Sequence, residues 1–167
     1  KYTCPGNKNI EFWDLPGIGT PNYPDLKTYC EKVGLEKYDT FLILSASRFT
    51  ENDLQLAKKV ESIKKSFFFV RTKIDHDIDN QQFDHPEKNV DSTLAEIKED
   101  CEKNLSTLAA SKKNMFLISN HHTDKWDFLD LRKAILDALL PHQRESLILS
   151  LTSDSMDVIK QKVAVLR

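Results

Sequence analysis

Three stretches of this chain are apolar, four or five residues long, and free of polar alternation: residues 40–44 (TFLIL), 66–70 (SFFFV) and 115–118 (MFLI). A strand with one wet face alternates in polarity. A strand apolar on both faces belongs in a parallel sheet covered by helices on either side. Helical patterns lie between the runs. Residues 52–64 place Leu54, Ala57, Val60 and Ile63 every third position, with Thr50 or Asn52 as N-cap. Residues 92–109 repeat Leu94, Ile97, Cys101, Leu105 and Leu108 at spacings of three and four, capped by Asp91 or Ser92. Residues 128–140 carry Leu131, Ile135, Ala138 and Leu139 until Pro141 breaks the run. Such stripes are core, and their alternation with strands predicts an α/β fold with helices on both faces of the sheet.

The flanks add two features. Residues 1–4 and 10–13 read as strands on either side of a Pro-Gly-Asn-Lys turn, which predicts a hairpin. After Pro141 the strands stop, and residues 142–151 and 154–167 read as two helices. Their apolar stripes, including Ile148, Leu151, Val158 and Val163, are wider than two helices bury alone. The predicted boundary therefore divides residues 1–140 from residues 141–167, the start of a helical domain that continues further. Residues 75–91 are polar and read as a surface loop.

Composition excludes several functions. A net charge of −2, with basic residues clustered no more densely than in pairs, gives no footprint for nucleic acid. No apolar run approaches the roughly 20 residues of a membrane span. Cys4, Cys30 and Cys101 lack metal-ligand spacing and read as reduced thiols, small buried or half-buried side chains. The adjacent His121 and His122 point in different directions, and no carboxylate–His spacing supports a metal or acid–base site. The chain opens at Lys1 without an initiator Met, as a piece of a longer protein does.

Ligands of parallel-sheet proteins bind at the carboxyl ends of strands, and three such ends carry chemistry here. Asp14 and Gly17 follow the strand at 10–13. A nucleoside triphosphatase needs a strand-end aspartate for the Mg²⁺ shell and a glycine whose N–H approaches the γ-phosphate. Thr72, Lys73 and Asp75 follow the strand at 66–70. The Asp75 carboxylate can accept from N1–H and the exocyclic amine of guanine, a donor pair that adenine lacks, for a preference of about a hundredfold or more. The Lys73 stem can lie along the base while its ammonium stays wet. Ser119 and Asn120 follow the strand at 115–118, where N–H groups and a small hydroxyl can support the guanine carbonyl and orient Asp75.

With these motifs in place, the chain resembles the immunity-related (interferon-inducible) GTPases over essentially its whole length. Residues 12–21 (FWDLPGIGTP) resemble that family's switch II, and 45–53 (SASRFTEND) its next segment. Residues 69–75 (FVRTKID) are similar to its guanine-specificity motif, with Thr72 where most GTPases carry Asn, and 118–120 (ISN) to its last base-contacting segment. The resemblance implies a Ras-like P-loop GTPase domain followed by a helical domain, GTP or GDP with Mg²⁺ as ligands, and nucleotide-dependent pairing of GTPase domains. It also implies a cytoplasmic protein peripherally associated with intracellular membranes through regions outside these residues, in interferon-linked defence.

The family's first strand, its GxxxxGK[ST] loop (or a GMS variant) and its switch I threonine do not occur in these 167 residues. The expected fold is thus an incomplete GTPase domain, with a gap between the strands at 10–13 and 40–44. Such a piece is expected to bind GTP poorly, to hydrolyse none and to be aggregation-prone alone. Ile18 stands where Ras-type GTPases place a water-orienting glutamine, so hydrolysis in the intact protein would draw on another source, such as a GTPase-domain dimer. Two other readings stay open: a GTPase-like module that lacks the phosphate loop and regulates partner GTPases without hydrolysis, and another Ras-like class.

Overall fold

The computed structural model of the chain describes residues 1–4, 7–106, 114–151 and 156–165. The hairpin is present: β1 (Tyr2–Cys4) and β2 (Asn7–Phe12) run antiparallel, with Tyr2 opposite Phe12 and Thr3 opposite Glu11. Part of its turn, residues 5 and 6, lies outside the described residues. The three apolar runs become β3 (Thr40–Ser45), β4 (Ser66–Arg71) and β5 (Met115–Leu117), a separate parallel sheet in the order β3-β4-β5. Thr40 pairs with Ser66 and Ser45 with Arg71, so β3 and β4 end level with each other. Arg71 also pairs with Leu117, bringing the end of β5 to the same edge.

One face of this sheet presents Phe41, Ile43, Phe67, Phe69, Met115 and Leu117 to four helices. These are α1 (Leu26–Val33), α2 (Glu51–Ser62), α3 (Ile74–Asp84) and α4 (Val90–Leu105), which contribute Tyr29, Val60, Ile74 and Leu105 among others. Phe69 has no exposed surface, and its ring meets Phe49 and Phe67 edge-on at centroid distances of 5.0 and 5.6 Å. On the opposite face Phe68, Val70, Phe116 and Ile118 pack under Leu131 of α5 (Phe128–Ala138).

That second face corrects one expectation. β4 and β5 are buried on both sides, but Leu42 and Leu44 of β3 are 44% and 60% exposed. Among the described residues α5 covers only the β4 and β5 part of this face, so an apolar run did not guarantee two covered faces.

Helix boundaries follow their caps. Thr50 starts α2 with a capping box: its hydroxyl accepts from Asp53 N, and the Asp53 carboxylate accepts from Thr50 N at 2.7 Å. α4 is capped by Asn89, whose side chain accepts from Ser92 N at 2.7 Å, rather than by Asp91 or Ser92. The end expected near residue 109 lies outside the described residues. α5 stops at Ala138, and Pro141 opens α6 (Pro141–Ser150) at its first position, where a missing N–H is harmless. α6 packs against β2, α5 and α7 (Met156–Val165).

The expected loop at 75–91 is largely wrong. α3 occupies residues 74–84, because Ile74 and Ile78, four apart, both bury against the core. Polar residues on its outer face hid that two-residue anchor, while Asp75 and Asp77 suit the positive end of its first turn. α1 falls in a stretch without a sequence assignment, although Asp25 accepting from Thr28 N and Gly34 at φ 67° bound it in the usual way. Cys30 and Cys101 are free thiols as expected, and burial pushes Cys101 up to about 11 despite the opposing effect of nearby Arg71.

Truncating Phe69 removes the ring at the centre of this packing. Phe69→Ala is expected to lower the unfolding free energy by about 3–5 kcal/mol, and Phe69→Leu by less than about 2. Urea unfolding of the wild type and both variants checks the order; equal midpoints would contradict it.

Candidate functional site

The chain leaves β4 at Arg71, and the next four residues are tied to both neighbouring strands. Thr72 N donates to the Ser45 carbonyl at 2.8 Å, and the Thr72 hydroxyl donates to the same oxygen at 3.3 Å. Ile74 N donates to the Ile118 carbonyl at 3.2 Å, and Ile118 N to the Arg71 carbonyl at 2.8 Å. Between them Lys73 adopts a left-handed conformation, φ 62°, which turns the strand into α3 within one residue. Its side chain is exposed.

This turn sets Asp75 in the first turn of α3, next to the end of β5. Its side chain is 13% exposed, and its Oδ1 is buried without a hydrogen-bond partner. Burial alone raises a carboxyl pKa. Here that effect is outweighed by hydrogen bonding from the Ser119 hydroxyl and from the N–H groups of His76 and Asp75, so the carboxyl is held below its ordinary value and stays charged. Ser119 is fully buried, and its Oγ accepts from His121 N at 3.1 Å. Asn120 is exposed on the same loop.

The far end of that loop is fixed by Asp127. Its N–H donates to the Leu117 carbonyl at 3.0 Å, and its carboxylate accepts from Leu117 N at 2.9 Å. Asp127 thus holds β5 instead of capping α5, which begins one residue later without a side-chain cap.

Sequence reasoning missed two parts of this region. The Arg71 side chain, 11% exposed, lies between α3 and α4 and donates from Nη2 to Asp77 Oδ2 at 2.6 Å. That ion pair fastens the first turn of α3 to β4 and so positions Asp75; its only trace in the sequence is an Arg six residues before an Asp. The second part is a histidine pair. His76 and His121 each bring a ring nitrogen within 4.8 Å of an Asp75 oxygen and of each other. Separation along the chain concealed this approach, since no carboxylate–His spacing in the sequence records it.

The structure therefore gathers Thr72, Lys73, Asp75, Ser119 and Asn120 at one end of the sheet. Asp14 and Gly17 are exposed on the segment after β2. A Cβ at Gly17 would meet nothing within 4 Å, whereas one at Gly19, where φ is 87°, would come within 3.0 Å of Asn52 Nδ2. Two clefts are present elsewhere. One of about 520 Å³ lies at the opposite strand ends, beside Lys64, Lys65 and Asn114, and one of about 240 Å³ lies between α3 and α4 beside Arg71. Neither is lined by Asp75 or Ser119.

The sequence profile of the interferon-inducible GTPase family (IIGP) matches residues 1–167. The chain belongs to that family. Among curated relatives it is 38% identical over 168 residues to mouse (Mus musculus) interferon-gamma-inducible GTPase 10, a match covering all of this chain and 40% of the relative. It is 41% identical over 170 residues to mouse T-cell-specific guanine nucleotide triphosphate-binding protein 2, covering 97% of this chain and 41% of the relative. Mouse interferon-inducible GTPase 1 is 36% identical over 96% of this chain and 39% of its own length. The chain thus spans about 40% of the length of these relatives. As an interferon-inducible GTPase family member it has the expected α/β architecture, with a parallel sheet and flanking helices, and no helix among the described residues is long and apolar enough to cross a membrane.

The Arg71–Asp77 pair is open to a direct test. Asp77→Ala strands a buried guanidinium whose Nε and Nη1 already lack partners, and is expected to cost about 2–4 kcal/mol. Arg71→Met removes the buried charge and fills its space, and is expected to cost less. Urea unfolding of both variants checks the order, and the reverse order would refute it.

Proposed function

We propose that this chain carries the base-recognition part of a guanine-nucleotide site, and that the whole protein binds and hydrolyses GTP. The observation behind this is the bare Oδ1 of Asp75, a charged acceptor at the end of a central strand with no donor of its own. A buried carboxylate oxygen left so is satisfied by ligand N–H groups, and guanine offers two on one edge. Ser119 restrains the carboxylate, Asn120 and the loop N–H groups face the base carbonyl, and the Lys73 stem covers the base. The hydroxyl of Thr72 is engaged by Ser45, so Thr72 acts by holding this turn in place.

In the same reading Asp14 supports Mg²⁺ through water, and Gly17 meets the γ-phosphate. A single exposed carboxylate suits Mg²⁺ only with the nucleotide's phosphates, since that ion keeps several waters and takes one or two carboxylates. With Ile18 unable to orient water, a second GTPase domain pairs with the first to complete the hydrolytic arrangement. Residues 1–140 form part of the GTPase domain and 141–167 begin the helical one. The relatives' names speak of interferon induction, in keeping with a defence role at intracellular membranes reached through other segments.

Nucleotide competition on the full-length protein tests this. GDP is expected to displace a fluorescent guanine nucleotide at least about a hundredfold better than ADP. Asp75→Asn is expected to lose that preference and gain affinity for xanthosine diphosphate, whose C2 carbonyl accepts from the new amide. Unchanged GDP affinity in Asp75→Asn would overturn the assignment.

A further inference from the structure

We propose that Asp75, His76 and His121 form a binding site for a divalent transition metal of the zinc class, and that an ion seated there blocks the purine edge from Asp75. The metal site stands on its own geometry, and the antagonism rests on the reading of Asp75 given above.

One oxygen and two imidazole nitrogens lie within 4.8 Å of one another. In a tetrahedral site with bonds of about 2.0–2.2 Å the ligand atoms stand roughly 3.3–3.6 Å apart. The widest gap therefore needs to close by little more than an ångström. Both histidines are exposed, His76 by 65%, so their rings can make that adjustment without disturbing the core. The carboxylate is already fixed, and its Oδ2 lies 4.0 Å from His76 Nε2.

The Asp75 carboxylate supplies the negative charge that draws a cation. Lys73 and the positive end of α3 oppose this, and Asp77, the other acid of that turn, is committed to Arg71. The donor set decides the metal. Two imidazoles with one carboxylate suit Zn²⁺, whereas Mg²⁺ prefers oxygen throughout. Three protein ligands leave a fourth position for water. His122 is not part of the set, since its ring packs edge-on against Trp126 at 5.8 Å.

The probes are Co²⁺, whose tetrahedral complexes absorb in the visible, and Zn²⁺ by titration calorimetry, both on the full-length protein. Wild type is expected to bind one ion at this site, with affinity falling at least about tenfold in His76→Ala and in His121→Ala but not in His122→Ala. Saturating Zn²⁺ is expected to lower GDP affinity at least about tenfold in wild type and to leave it unchanged in His121→Ala. Absence of Co²⁺ and Zn²⁺ binding, or binding indifferent to both His76→Ala and His121→Ala, overturns the site. Binding at these residues with unaltered GDP affinity overturns the antagonism. Metal binding by a protein that takes up no guanine nucleotide even without metal confirms the site, and removes the nucleotide reading instead.

Discussion

β4 is paired along its length with β3, joined to β5 at its upper half, and covered on both faces, and everything at the candidate site hangs from its last residue. Phe69 and Val70 have no exposed surface, so the strand cannot shift without opening the packing of both faces at once. Residues that follow such a strand inherit its precision. The left-handed Lys73 then brings Asp75 to the neighbouring strand's end in two residues, too short a span to wander. Placement of a catalytic or binding group by a rigid strand is more accurate than placement by a long loop.

Electrostatics at this point differ from those of an ordinary surface acid. A carboxylate with one oxygen buried and bare carries a desolvation cost that the Ser119 hydroxyl and the first-turn N–H groups of α3 offset. The Arg71 guanidinium is bound to Asp77, not to Asp75. One turn of helix therefore holds two acids with different surroundings: Asp77 neutralises a buried cation, and Asp75 keeps one oxygen, Oδ1, without a donor.

The parallel sheet, the hairpin, the core stripes of α2, α4 and α5 and the three strand-end segments were legible in the sequence, because hydrophobic period reports directly on burial. α3 was not, since its core contact rests on Ile74 and Ile78 alone and the remaining residues are polar. The open face of β3 was equally illegible: Leu42 and Leu44 look no different from Phe68 and Val70 until the reach of α5 is known. At the site, the identities of Asp75 and Ser119 could be read, whereas Arg71, His76 and His121 depend on how α3 and the 119–127 loop fold back on one another. Residues brought together from different elements leave no spacing to recognise.

The Ser45 carbonyl serves both donors of Thr72. That oxygen, with the β3–β4 ladder, ties the tip of β3 to the root of the turn that carries Asp75. A load on the segment from Ser45 to the α2 capping box at Thr50 therefore reaches the Asp75 carboxylate through one carbonyl and three peptide links, and reaches the aromatic interior through Phe49, whose ring meets Phe69.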